Sequence, residues 1–80
     1  SKKKVMVVDE DKTAVSTLTD VLQAKGYQVV ESDGKEMMEK AILNQPDIII
    51  LNSVLSDQHE IVQSLRFEKG LENVLFLIYQ

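Results

Sequence analysis

Four short apolar runs punctuate this chain: VMVV at 5–8, the centre of YQVVE at 27–31, DIIIL at 47–51 and VLFLIY at 74–79. Each is short for a helix and weighted toward β-branched or aromatic residues, so each predicts a strand. Between the runs the apolar period changes. Over Thr13–Lys25, residues Ala14, Val15, Leu18, Val21 and Leu22 recur every three or four positions. That spacing gathers them on one helix face and turns Thr17, Asp20 and Gln23 toward water. Asp11 stands where a carboxylate can cap the first turn, and Gly26 where a left-handed residue can end the last. A second helix is predicted over Lys35–Asn44, with Met37, Met38, Ala41 and Ile42 as its apolar stripe and Pro46 as its stop. After the segment SVLSDQHE, read as a loop, Ile61, Val62 and Leu65 predict a third helix ending near Gly70.

The resulting order is β-α-β-α-β-α-β in an α/β fold. Strands that are apolar throughout, rather than alternating, imply a parallel sheet covered on both faces. Right-handed crossovers allow few topologies. If the chain winds one way after the first strand and the other way thereafter, the strand order is 2-1-3-4. The switch point then falls between strands one and three, and ligands in such sheets bind outside the strand carboxyl ends there.

Composition narrows the functional classes. Apolar residues make up 44% of the 80 and charged residues 28%, the balance of a folded domain, and the length suits a single one over residues 1–80. No run approaches the ~20 residues of a membrane-spanning helix. Cysteine is absent, which excludes disulfides and thiolate metal sites and fits a reducing, cytoplasmic location. The net charge of −4 argues against a nucleic-acid partner despite Lys2, Lys3 and Lys4, because binding that polymer requires neutralising phosphates.

Two polar features meet at the expected switch point. Strand one runs into Asp9, Glu10 and Asp11, and strand three ends on Asn52. Adjacent acids past a buried strand repel one another unless a cation or hydrogen bonds compensate, which makes Asp9 and Glu10 candidates for a hard-metal site. With equal weight, Asp11 is only a helix cap and Glu10 only a solvated side chain. KVMVVDED, then a helix, then KGYQVVESDGKE, then PDIIILN resembles the receiver domain of two-component response regulators, in order and across essentially the whole chain. The resemblance implies a flavodoxin-like, doubly wound parallel sheet. It places a Mg²⁺ site on Asp9 and Glu10 and the phosphoacceptor at Asn52, where the family has aspartate.

The resemblance also exposes departures. An amide is a poor substitute for a carboxylate nucleophile, so phosphoryl transfer should fail at Asn52 and Mg²⁺ should bind weakly or not at all. The loop behind it carries Ser56 near the family's proline and no glycine, which unsettles the Mg²⁺-ligating carbonyl expected near Val54. The family's hydroxyl switch residue falls on Ile78, which has no hydrogen to donate. These losses together describe a pseudo-receiver: no enzyme, but a phosphorylation-independent module for partners such as a histidine kinase or a downstream effector. The family adds about one more strand and two helices, so a longer native chain is expected. Otherwise the fourth strand leaves an exposed edge that could pair in a homodimer.

Other chemistry has less support. VVDEDKTAV fits the DxDxT pattern of haloacid-dehalogenase-type phosphotransferases, with Asp9 as nucleophile, Asp11 as acid/base and Thr13 in support. The pattern is short, and the helix that follows leaves no room for that family's flap. Gly26, Gly34 and Gly70 are too scattered to cradle a dinucleotide phosphate. His59 reads as a surface residue in a polar loop, and Asp57 lies too far past the strand to replace the acceptor.

Overall fold

The computed structural model describes residues 2–56 and 59–80. Its elements run β1 (Lys4–Val8), α1 (Lys12–Ala24), β2 (Gln28–Ser32), α2 (Met37–Asn44), β3 (Ile48–Asn52), α3 (Ser53–Ser56), α4 (His59–Arg66) and β4 (Leu75–Tyr79). The strands form one fully parallel sheet in the order β2-β1-β3-β4. This is the expected doubly wound α/β arrangement, with its switch point between β1 and β3.

Side chains alternate across the sheet and divide the core in two. Met6, Val8, Ile49 and Leu51 enter one layer with Met37 and Ala41 of α2, Leu65 of α4, and Leu71 and Val74 from the turn before β4. Val5 and Val7 enter the other, with Val15, Leu18 and Leu22 of α1. Before the strands begin to pair, the Asp47 N–H donates to the Lys4 carbonyl and the Lys4 N–H donates to the Asp47 carboxylate, which fixes how β1 and β3 start.

Helix α1 begins as its sequence suggests. The Asp11 carboxylate accepts from the backbone N–H of Thr13 at 2.9 Å and of Ala14 at 3.4 Å. At the other end the N–H of Gly26 donates to Gln23 and that of Tyr27 to Leu22, a paired closure that needs a left-handed residue. Gly26 supplies it with φ of 96°. A Cβ there would meet nothing within 4 Å, so Gly26→Ala should act through backbone strain alone. The expected loss is about 1 kcal/mol, read as a lower midpoint in urea with an unchanged slope.

Three expectations need correction. The segment read as a loop after β3 contains the single turn α3, and α4 starts at His59, so His59 opens a helix rather than lying in a loop. SVLS has no glycine or proline to resist helical dihedrals, and the Asn52 side chain caps the turn by accepting from Val54 N at 2.9 Å. Helix α4 ends at Arg66, short of Gly70. Val21 and Ile42, assigned to apolar stripes, are 49% and 43% exposed, because each sits at the margin of its helix's buried face. Asp57 and the side chains of Ser56 and His59 lie outside the described residues.

Candidate functional site

The three acids after β1 take three different directions. Asp9 continues the Val5–Val7 side of β1 and is only 8% exposed. Its Oδ1 accepts from the backbone N–H of Asp11 at 3.0 Å. Its Oδ2 accepts from Asn52 Nδ2 at 3.3 Å and from the hydroxyl of Tyr79. Glu10 is exposed and turns to the β2–α2 connection, where Oε1 accepts from Gly34 N at 3.1 Å. Asp11 is committed to capping α1. The expected apposition of Asn52 with both Asp9 and Glu10 therefore holds for Asp9, while the hydrogen bond of Glu10 goes to Gly34.

Tyr79 is the residue that sequence reasoning missed. β3 and β4 pair so that Asn52 lies opposite Tyr79, and Ile78 lies opposite Leu51. Asn52 and Tyr79 consequently share a sheet face, and Ile78, 51% exposed, is directed to the other one. Ile78 is not brought into the site by this register. The available sequence signal was the polar tip of Tyr79 at the end of an otherwise apolar strand, since a sheltered tyrosine hydroxyl generally finds a partner.

The network sets the charge state of its members. Burial pushes the Asp9 carboxyl up, but hydrogen bonds from the Asp11 backbone, Tyr79, Asn52 and the Glu10 backbone outweigh it and hold the group below its ordinary value of 3.8. The phenol of Tyr79 is pushed up from 10.0 to about 12, first by burial and then by the hydrogen bond and charge of Asp9. Near neutrality the site is a carboxylate receiving hydrogen bonds from an amide and a neutral phenol.

A hard cation at this site would compete with donors that the protein already supplies. Both Asp9 oxygens, one Glu10 oxygen and the Asn52 carbonyl oxygen already accept hydrogen bonds from the protein. Among the described residues, no three His, Cys, Asp or Glu side chains converge as a metal-binding group. Asp9 and Glu10 both open onto a cleft of about 380 Å³ on the β1–β2 side, walled also by Lys12, Glu31, Asp33 and Glu36. Asn52 and Tyr79 are not among its walls.

No protein-family model matches the chain. It is 37% identical over 78 residues to the alkaline phosphatase synthesis transcriptional regulatory protein PhoP of Bacillus subtilis (strain 168). That alignment covers 94% of this chain and 32% of the relative, so the chain spans about a third of the relative's length. Among solved structures it is similar to the chemotaxis response regulator CheY4 of Vibrio cholerae, with a TM-score of 0.86 and 26% identity. The superposition covers 98% of this chain and 68% of that one. Among the described residues, no helix is long and apolar enough to cross a membrane.

Proposed function

Because this chain is a receiver domain of the response-regulator family, we propose that it works as a pseudo-receiver: a signalling module that does not take a phosphoryl group at Asn52. The observation that carries this reading is the end of β3. A receiver aspartate attacks phosphorus with a carboxylate oxygen while Mg²⁺ draws off charge. Asn52 offers a neutral amide whose nitrogen donates to Asp9 and whose oxygen caps α3. Neither atom is a competent nucleophile toward phosphorus.

Such a domain exerts its effect by binding. Its partners would be signalling proteins of the kind receivers meet, a histidine kinase or a downstream effector, and the contact would not depend on phosphorylation. A homodimer formed through β4 belongs to the same reading as a further proposal. The dehalogenase-type alternative has less support, because its acid/base Asp11 would have to leave the cap of α1.

The test is incubation with acetyl phosphate and Mg²⁺, followed by intact and peptide mass spectrometry. The chain should gain no phosphoryl mass under conditions that load an active receiver. An acyl phosphate mapped to this domain would end the pseudo-receiver reading.

A further inference from the structure

We propose that Tyr79 is a positioning residue that closes one side of the acidic site: with Asn52 it fills one oxygen of Asp9, so that a divalent cation reaching that oxygen must displace a donor. This deepens the pseudo-receiver reading and rests on it, since it takes Asp9 and Glu10 as the family's cation ligands.

The argument begins with the lone pairs. A carboxylate has two oxygens and about four acceptor positions. On Asp9 one oxygen is held by the Asp11 backbone N–H, and the other receives both the Asn52 amide and the Tyr79 hydroxyl. A hard cation approaching the doubly bonded oxygen must displace a donor from a carboxylate that is 8% exposed. Hydrogen bonds to a charged acceptor are stronger than neutral ones, and more so where water is scarce. The donors also take over the cation's electrostatic role, because they compensate the Asp9 charge without any ion.

Asn52 and Tyr79 differ in what holds them. The Asn52 side chain is tied at its other end to Val54 N, so its orientation is coupled to the α3 turn. Tyr79 reaches Asp9 from the neighbouring strand, placed there by the pairing of β4 with β3. Restoring a carboxylate at Asn52 therefore leaves the phenol in place, and charge alone does not reopen the site.

The test is a Mg²⁺ titration of the 80-residue chain, followed by amide NMR at Asp9, Glu10 and Asp11. Wild type, Tyr79→Phe, Asn52→Asp and the double variant are compared. Removing the hydroxyl should tighten Mg²⁺ binding roughly 10-fold, both in the wild-type background and in the Asn52→Asp background, as expected for loss of one charge-assisted hydrogen bond. Equal affinities with and without the hydroxyl in both backgrounds would overturn the proposal. Should Tyr79→Phe fail to fold, the wild type still decides. Forcing Mg²⁺ in at high concentration should move the Tyr79 ring resonances together with the Asp9 amide, and a stationary ring would overturn it. The two readings fail separately: phosphoryl incorporation by the wild type sinks the pseudo-receiver, and a titration indifferent to Tyr79 sinks the closure.

Discussion

Leu51→Ala should remove about 2–5 kcal/mol of stability and lower the midpoint of thermal unfolding by roughly 10–25 °C. Leu51 is fully buried on β3, one position before the site, in the layer that also holds Met6, Val8, Ile49 and Leu65. It is flanked by β1 through Val8 and by β4 through Ile78, so paired backbone on both sides limits collapse around a truncated side chain. The cost then includes a cavity as well as the lost transfer of apolar surface. A domain of this size has only ~4–12 kcal/mol of net stability to lose. The matched control is Leu43→Ala on α2, where the side chain is 79% exposed and the change should stay within about 0.5 kcal/mol. Thermal and urea melts followed by circular dichroism measure both. A Leu51→Ala midpoint indistinguishable from that of Leu43→Ala would contradict the burial of β3.

The second large effect is a loss of stability at alkaline pH that depends on one hydroxyl. The phenol of Tyr79 titrates near 10.0 in an unfolded chain and at about 12 in the folded one. The protonated form is thus favoured by folding. Its stabilising contribution is complete below pH 10 and disappears as pH rises through 10 to about 12. Because Tyr79 is only partly sheltered from water, the contribution is roughly 1–2 kcal/mol, less than the full shift would give in a dry interior. Urea melts of wild type and Tyr79→Phe between neutral and strongly alkaline pH isolate it, since the difference between the two curves cancels every group they share. The wild type should lead at neutral pH and lose that lead across the window. Parallel curves would mean that the phenol makes no special contact. At the acid end the sign reverses: the depressed Asp9 carboxyl adds stability above 3.8 that fades as pH falls through its lower folded value.

The pH effects at Tyr79 and Asp9 meet in one network, which gives the proposed pseudo-receiver a structural basis within a receiver fold. Asp9 still ends β1 at the switch point, and β3 still delivers a polar residue to it. At the carboxylate, Asn52 and Tyr79 donate to one oxygen of Asp9, and Glu10 accepts from Gly34. Wild-type inertness toward acetyl phosphate would then have two layers, a missing nucleophile and a closed metal site.

Much of the fold was legible in the residues themselves. Apolar periodicity located the four strands and α1 and α2, because a helix and a strand repeat their buried faces at different intervals. Asp11 and Gly26 marked the ends of α1 for local reasons: one accepts orphan N–H groups, and the other tolerates positive φ. Uninterrupted apolar strands implied a parallel sheet and crossover handedness left few topologies, of which the structure adopts the 2-1-3-4 order. Asn52 could be placed at the end of the third strand from order along the chain, and the structure brings it to Asp9 across the switch point.

Tertiary structure decided how those residues meet. Glu10 and Asp9 are neighbours in sequence, yet one turns out to Gly34 and the other in to Asn52, partners that only the fold brings near. The helical turn of α3 depends on a side chain from the preceding strand, so its apolar pattern alone read as loop. The clearest case is Tyr79. Alignment along the chain selected Ile78, whereas β3–β4 register places Tyr79 opposite Asn52, and a one-residue step along a strand exchanges the two sheet faces. Register is a long-range property of paired backbones. The sequence alone pointed to a receiver-like sheet whose third strand ends on an amide, Asn52; only the pairing of its strands determined that a phenol meets the neighbouring carboxylate.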